Sequence, residues 1–216
     1  MFSYYKEVKA RSSPASQIVL MLHGVGSNCD DMFDLVPYFQ DHLPSTTFFS
    51  PNGIEKCDST PFGYQWFSLK DRSVEAIQNE LEAKKPKIIE CINHMLELNS
   101  MRWQDMIVIG FSQGVIAATS LLFNNNQKVK GIVGFCGVAI PPKMSSTTSL
   151  VSADTPVCLI HGEEDEVLPV EYMEQSKKLL NGYKVECETH KIENLGHSIN
   201  DVSIKKAIDF IKKLDV

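Results

Sequence analysis

Short apolar runs that end at or near glycine recur along this chain and alternate with stretches of helical periodicity. This alternation constrains the fold more than any other feature. Continuous runs of Val, Ile and Leu are typical of strands that are covered on both faces. Such runs occupy residues 17–23, 46–50, 106–109, 129–135 and 156–160, and residues 183–190 alternate as an outer strand would. This order of strands and helices predicts an α/β fold with a mostly parallel central sheet and helices on both faces.

Helical spacing accounts for most of the chain between these runs. An apolar face over residues 88–96 predicts a helix with Pro86 near its start, and residues 74–81 indicate a turn or two upstream. Further helices are predicted over residues 113–123, 169–180 and 204–214. Residues 53–72 and 141–155 are rich in polar and helix-breaking residues and are predicted as surface loops.

Length and charge narrow the classes of protein that fit this pattern. The chain has 216 residues, 43% hydrophobic and 22% charged, which predicts one domain over residues 1–216. With 21 Lys and Arg against 27 Asp and Glu, the formal net charge of -6 argues against nucleic-acid binding. The N-terminus lacks the apolar core of a signal peptide, and no segment approaches the roughly 20 apolar residues that cross a bilayer. We therefore expect a cytoplasmic protein with no integral membrane segment.

The six cysteines are predicted to be reduced thiols rather than a disulfide framework. None lies in a CxxC pair, and no group of Cys and His has the spacing of a zinc site. Cys136 and Cys158 lie inside apolar runs, where cysteine packs as a small hydrophobic residue. No metal site is therefore predicted.

The segment from Gly110 to Gly114 fits the G-x-S-x-G motif and lies between a predicted strand and a predicted helix. In this turn the serine hydroxyl is lifted above the edge of the sheet at the start of a helix. The residues two before and two after the serine must be small, because the turn leaves no room for side chains. The alternative is a glycine-flanked turn with an incidental serine. The strand and helix around it favour Ser112 as a nucleophile.

A serine nucleophile needs a base, and this motif places an acid and then a histidine later in the chain. Among the histidines after Ser112, His161 precedes the acidic cluster and His190 lies in a strand pattern. His197 lies in a glycine-marked loop before the last helix, where a base from a strand end is expected. Four acidic residues follow residue 162, and Asp165 is the best candidate because the residues after it lead into a helix. The alternative for the others is a solvated acidic turn.

Two backbone N–H groups are predicted to bind the oxyanion that forms when a serine attacks a carbonyl. One belongs to Gln113, directly after the nucleophile, and the second is assigned to Val25 in the glycine-rich loop after the strand at 17–23. Gly24 and Gly26 let this backbone approach a substrate closely. His23 invites a metal-binding or catalytic interpretation, but a structural hydrogen bond at the strand end suits its position better.

Five motifs in this order resemble those of the bacterial carboxylesterase/phospholipase family of α/β-hydrolases, which is related to the acyl-protein thioesterases. Together they extend over nearly the whole chain, and such an ordered set is far more specific than any one motif. The motifs are LHGVG from residue 22, QWFS from residue 65, IGFSQG from residue 109, HGEED from residue 161 and LGH from residue 195. The resemblance implies an α/β-hydrolase fold with no large cap domain, and no cofactor.

The same resemblance assigns roles to particular residues. Ser112, Asp165 and His197 match the family's nucleophile, acid and base, and Val25 and Gln113 match its oxyanion hole. A small-molecule ester or acyl compound is the expected partner, and a homodimer is compatible with the family.

Three further residues are implied to line the substrate site. Trp66 and Phe67 would lie at its entrance or acyl side, with Leu168 opposite, and packing in the core is the alternative for the two aromatic residues. Ser68 and Val115 depart from the thioesterase branch, which more often has aspartate and glycine there. These departures bring the chain closer to the esterase branch and weaken the case for depalmitoylation.

These residues predict a serine carboxylesterase, with thioesters and lysophospholipids as further candidate substrates. The alternative is a non-catalytic α/β-hydrolase-fold protein that binds a hydrophobic ligand or a partner, because fold alone does not give function. The presence of all three residue types argues against that alternative. A serine peptidase is a weaker third option, since nothing in the sequence suggests an additional propeller or cap.

Overall fold

A seven-stranded sheet forms the centre of the computed structural model, which describes residues 2–123, 127–143 and 151–214. Its strands in chain order are β1 Tyr5–Val8, β2 Gln17–Leu22, β3 Thr46–Pro51, β6 Met106–Phe111, β7 Gly131–Phe135, β8 Val157–Gly162 and β9 Cys187–Ile192. A separate hairpin pairs β4 Glu55–Lys56 with β5 Tyr64–Gln65 inside the predicted loop 53–72. Of the other predicted loop, residues 144–150 lie outside the described residues.

The strands lie side by side in the order β1-β3-β2-β6-β7-β8-β9. All neighbours are parallel except β1, which runs antiparallel to β3 with Tyr5 opposite Pro51. The mostly parallel sheet confirms the prediction from the apolar runs. The sequence analysis missed β1, because an exposed edge strand such as YKEV lacks the continuous apolar run of a buried strand.

Six α-helices among the described residues pack on the two faces of this sheet. They are α1 Cys29–Phe33, α2 Val36–Gln40, α3 Val74–Leu98, α4 Gln113–Ser120, α5 Glu171–Gly182 and α6 Asp201–Lys213. Buried residues of α3, α4 and α5 form one core layer, and those of α1, α2 and α6 form the other. Each of these helices covers a face of the sheet, so none of them forms a cap over the ends of the strands. The resemblance likewise implies a fold without a large cap domain.

Side chains of β2 show how the sheet divides the core. Ile18, Leu20 and Leu22 point to the first layer, whereas Val19 and Met21 point to the second, and all five are fully buried. Successive side chains of a strand point to opposite faces, so a strand covered by helices on both sides must be apolar at every position. This explains why the apolar run predicted a buried strand.

One prediction about the helices is wrong. Pro86 does not lie near a helix start but inside α3, which runs for 25 residues and joins the two stretches that the sequence suggested separately. The Lys85 ammonium, on the adjacent residue, donates hydrogen bonds to the carbonyls of Phe123 (3.0 Å) and Ser120 (3.5 Å) at the end of α4. This contact, with burial of Ile77, Leu81 and Ile88, holds the middle of α3 against the sheet despite the proline.

The chain changes direction across the sheet between β2 and β6. From β2 it passes outward to β3 and then returns to the other side of β2, where β6 pairs in parallel with Leu22 opposite Gly110. In open α/β sheets, ligands bind at the carboxyl ends of the strands beside such a switch point. The loops after β2 and β6 therefore meet where a ligand site is expected.

None of the helices in the described part of the chain is long and apolar enough to cross a membrane.

Candidate active site

Ser112 lies directly after β6, with backbone angles of φ 52° and ψ −113°. A positive φ is strained for serine, and such strain persists where the surrounding structure fixes it. The Ser112 N–H donates to the Phe135 carbonyl at 2.9 Å, and the Ser112 carbonyl accepts from the Val115 N–H at 3.0 Å as α4 begins. The serine side chain is therefore presented at the carboxyl edge of the sheet, at the start of a helix.

The two glycines around Ser112 are required by close backbone contacts. A Cβ on Gly114 would lie 2.1 Å from the Leu22 carbonyl oxygen, and one on Gly110 would lie 2.6 Å from the Gly114 carbonyl. Neither position can hold a larger residue unless the sheet or α4 moves. This accounts for the glycines of the motif in physical terms.

Asp165 lies in the turn after β8 and is the one buried carboxylate of that turn, while Glu163, Glu164 and Glu166 are exposed. Its Oδ1 accepts the backbone N–H groups of Val167 at 2.9 Å and Leu168 at 2.8 Å. The turn therefore holds this carboxylate in one orientation and leaves Oδ2 for a side-chain partner.

His197 provides that partner from the loop between β9 and α6, with its Nδ1 2.8 Å from Asp165 Oδ2. Burial alone would raise the pKa of Asp165, but the Leu168 N–H and the His197 ring outweigh it, so that the pKa of this carboxyl is lowered. Asp165 is therefore ionised at neutral pH and can stabilise a protonated His197. The His197 ring also packs against Phe111, with ring centroids 5.0 Å apart.

A second histidine approaches the same carboxylate from the protein interior. His161 Nε2 lies 2.7 Å from the Leu168 carbonyl and 3.1 Å from Asp165 Oδ2, and its side chain is only 1% exposed. Because a carbonyl oxygen can only accept, this nitrogen carries the proton. His161 therefore fixes the turn that holds Asp165, a contact that the order of residues along the chain did not reveal.

Two cavities open beside Ser112. The first, of about 490 Å³, is lined by His23, Asp31, Met32, Phe111, His197 and Ile199 among others, and we call it the histidine cavity. The second, of about 440 Å³, is lined mainly by Leu69, Val74, Ile77, Ile116, Val138 and Ile140, and we call it the aliphatic cavity. Ser112, Val25 and Val167 line both. Ser112 and His197 thus share a cavity, although within the described residues the Ser112 hydroxyl forms no hydrogen bond.

Val25 lies in the loop after β2 and lines both cavities together with Ser112, and Gln113 begins α4 directly after the serine. The Gln113 side chain is 1% exposed and accepts the Trp66 N–H at 3.0 Å while donating to the Phe67 carbonyl at 2.7 Å. This amide therefore anchors the QWFS segment to the start of α4.

The structure gives Trp66 and Phe67 a different place from the one that the resemblance implied. Both are fully buried, and neither lines the histidine cavity or the aliphatic cavity. The Trp66 Nε1–H donates to the His23 carbonyl at 2.8 Å, so the ring supports the loop after β2. Core packing, the alternative considered for these residues, describes them better. Leu168 does line the aliphatic cavity.

Two residues with metal-binding side chains are held by other contacts. His23 Nε2 accepts the Gly53 N–H at 2.8 Å, and its Nδ1 donates to the Gly24 carbonyl at 2.6 Å, while burial lowers its pKa. Cys136, Asp165 and His197 bring their ligand atoms within 4.8 Å of one another. Burial raises the pKa of the Cys136 thiol, which donates to the Ser198 carbonyl at 3.3 Å, and a protonated thiol is a poor metal ligand. All six cysteines are buried and free.

Comparison with known proteins places this arrangement in a family. The sequence profile of the phospholipase/carboxylesterase family of α/β-hydrolases matches residues 3–215. The chain belongs to this family.

Relatives within the phospholipase/carboxylesterase family align over most of the chain. Esterase YpfH of Escherichia coli is 27% identical over 205 residues, covering 95% of this chain and 86% of the relative. Acyl-protein thioesterase 1 of Saccharomyces cerevisiae is 26% identical over 223 residues, covering 95% of this chain and 96% of the relative. The crystal structure of esterase PE8 superimposes with a TM-score of 0.88 and 28% identity, covering 97% of each chain. The family resemblance and the α/β-hydrolase fold are thereby confirmed.

Several residues at this site were missed by the sequence analysis. Val167 lines both cavities and is exposed, and its position two residues after Asp165 was the available signal. Phe111, the variable residue of the motif, packs on His197. Ile116 and Val138 line the aliphatic cavity from α4 and from the segment after β7. Apolar residues of this kind carry no signal in sequence that separates a cavity wall from the core.

Proposed function

We propose that this protein is a serine carboxylesterase that hydrolyses carboxylic esters through an acyl-enzyme on Ser112. The observation that carries the proposal is the 2.8 Å contact between Asp165 and His197, with His197 and Ser112 lining one cavity. An acid, a base and a nucleophile in this order are the parts that activated serine requires. The esterase and thioesterase names of the relatives agree with this chemistry.

In the first half-reaction, His197 Nε2 takes the proton of the Ser112 hydroxyl as its oxygen attacks the ester carbonyl. The carbonyl π electrons move to the oxygen, and the backbone N–H groups of Val25 and Gln113 stabilise the oxyanion. Asp165 holds Nδ1 and stabilises the imidazolium that forms. When the tetrahedral intermediate collapses, the ester C–O bond breaks, His197 returns the proton to the departing alcohol, and the acyl group stays on Ser112.

In the second half-reaction, water replaces the alcohol. His197 takes one proton from the water as its oxygen attacks the acyl carbonyl, and the same two N–H groups bind the new oxyanion. Collapse breaks the bond to Ser112, whose oxygen regains a proton from His197, and the carboxylic acid leaves. Thioesters follow the same steps with a thiol as leaving group, and lysophospholipids follow them with a glycerol hydroxyl.

The position of His197 supports a separate role for each of the two cavities. Because this histidine must protonate the leaving group, the alcohol has to lie in the histidine cavity, which His197 lines. The acyl group, which stays on Ser112, then extends into the aliphatic cavity. Burial of methylene groups against Ile116, Val138 and Leu69 stabilises bound acyl chains by about 0.8 kcal/mol for each CH₂.

Three further expectations stay predictions. They are a single domain over residues 1–216, a cytoplasmic location and a homodimer. A small-molecule ester as the partner follows from the proposed reaction.

The test is substitution of the nucleophile. Ser112→Ala should lower kcat/KM for a p-nitrophenyl ester of a short-chain acid by about 10³-fold or more, and should abolish labelling by a fluorophosphonate probe. Ser120→Ala is a matched control, because Ser120 is a buried serine at the other end of α4 whose hydroxyl donates to the Ala117 carbonyl. If folded Ser112→Ala protein hydrolyses the ester at the wild-type rate, or if wild-type protein neither turns it over nor takes up the probe, the proposal is wrong.

A further inference from the structure

Among the residues that the structure describes, one charged side chain lines the wall of the aliphatic cavity, which is otherwise apolar or uncharged. It belongs to Arg72, in the segment between β5 and α3. The other lining residues are aliphatic, aromatic or uncharged polar groups, with Leu69, Val74 and Ile77 near Arg72 in the chain. Arg72 is exposed, so its guanidinium can reach both the cavity and the solvent at its mouth.

Two acidic residues near Arg72 already have partners: Asp58, which lines a small neighbouring cavity together with Arg72, and Asp71, the preceding residue. Asp58 forms an ion pair with Lys70 at 3.1 Å and accepts hydrogen bonds from Ser68 and Gln65. Asp71 accepts the Ser73 N–H at 2.8 Å. Among residues 2–123, 127–143 and 151–214, Arg72 itself makes no ion pair or hydrogen bond. Its five donors are therefore available to a ligand.

The histidine cavity has the opposite charge. Asp31 is its carboxylate, and it accepts a hydrogen bond from Ser27 at 2.5 Å. A substrate that spans both cavities across Ser112 therefore meets a negative group on the alcohol side and a positive group on the acyl side. An anionic acyl group is attracted to one cavity and repelled from the other, which sets the direction in which the ester binds.

We propose that Arg72 makes this site selective for acyl groups that end in a carboxylate, so that the preferred substrates are monoesters of dicarboxylic acids. This inference rests on the proposed esterase function. The aliphatic walls bury the methylene groups, and the guanidinium takes the carboxylate in the paired geometry that arginine favours. Of the common anions, a carboxylate is the one that terminates an acyl chain directly.

Kinetic comparison of matched esters tests the inference. The substrates are monoethyl esters of glutaric, adipic, pimelic and suberic acids, each set against the ethyl ester of the unbranched monocarboxylic acid with the same number of carbons. Hydrolysis is followed by alkali uptake at constant pH. For the best chain length, the wild-type kcat/KM should favour the carboxylated ester by about tenfold or more, as expected for a hydrogen-bonded charge.

Arg72→Gln should lower the ratio of kcat/KM for the carboxylated ester to that for its neutral partner to about one. Arg72→Lys should restore part of the preference, because lysine keeps the charge but not the fork of donors. Lys178→Gln is the matched control, since it removes one exposed positive charge from α5, the helix that carries Tyr172 to the aliphatic cavity, without altering a residue that lines the cavity. In that variant the ratio of kcat/KM for the carboxylated ester to kcat/KM for the neutral ester should be unchanged.

The outcomes separate this inference from the function on which it rests. If neutral esters are hydrolysed in a Ser112-dependent way but carboxylated esters are no better at any length, the role of Arg72 is wrong and the esterase stands. Equal loss on charged and neutral esters in Arg72→Gln, or loss of the preference in Lys178→Gln, also overturns it. If no ester is hydrolysed, the esterase function fails first.

Discussion

The histidine cavity and the aliphatic cavity are nearly equal in volume, at about 490 and 440 Å³, and share Ser112, Val25 and Val167, yet the rest of their walls carry different side chains. The loops after β2 and β9 bring His23 and His197 to the first, and α1 brings Asp31. Helices α3 and α4 bring Ile77 and Ile116 to the second. The difference teaches that a hydrolase site needs proton transfer on the leaving-group side of its nucleophile and burial of the acyl chain on the other side. The chemistry of the walls, rather than the space they enclose, distinguishes the two sides.

The largest effect should come from removing the base of the histidine cavity. His197→Ala should lower kcat by about 10⁴-fold for every ester, whatever its acyl chain, because proton transfer is lost while the aliphatic cavity is intact. Steady-state kinetics on acetyl and octanoyl esters would measure this. His190→Ala is the control, since that imidazole lies on β9 and contacts Glu188 at 2.7 Å. If His197→Ala lowered the hydrolysis rate of the octanoyl ester alone, the assignment of proton transfer to the histidine cavity would be wrong.

An intermediate effect should come from filling one cavity at a time. Val138→Phe narrows the aliphatic cavity and should lower kcat/KM for octanoyl relative to acetyl esters by about tenfold, the loss expected from two or so buried CH₂ groups. Ile199→Phe narrows the histidine cavity and should instead discriminate between large and small alcohols. Both residues are half-buried, which favours correct folding. If both variants change the same preference, the two cavities are not separate sites for acyl group and alcohol.

The smallest effect should come from the charge of the histidine cavity. Asp31→Asn should lower kcat/KM for esters of a quaternary amino alcohol such as choline by about two- to fivefold, and leave ethyl esters unchanged, because an exposed carboxylate is screened by solvent and salt. Asp34→Asn is the control, since Asp34 is an exposed carboxylate at the end of the same helix. Repeating the assay in high salt should remove the difference. An effect that persists there would require a closer contact than the structure suggests.

Much of the fold and of the candidate site could be predicted, because the signals were local. Parallel strands buried on both faces must be apolar throughout, so β2, β6 and β8 stand out as short runs. Ser112 was identified by the glycines that its backbone requires. Asp165 was predicted because the residues after it lead into a helix, and His197 because it lies in a glycine-marked loop between a strand and the last helix. The structure brings the two side chains into contact.

The remaining errors concern features that depend on distant parts of the chain. Trp66 and Phe67 are as hydrophobic as residues of a cavity wall, and only the partners of Gln113 and His23 reveal that they are buried behind the site. Pro86 breaks isolated helices, whereas packing against the sheet sustains α3 around it. Arg72 has the appearance of any surface arginine until the aliphatic side chains around it are known.

The pairing of Leu22 with Gly110 has a consequence for how this site can change. Adjacent strands lie about 4.8 Å apart, a spacing set by their backbone hydrogen bonds and independent of side chains. Since Val25 and Ser112 follow those two residues closely, the spacing of the two strands sets the distance between them, and in the proposed reaction the carbonyl of the substrate binds in this gap. Surrounding loops are then free to diverge and to adopt new substrates, while the reacting atoms keep their places.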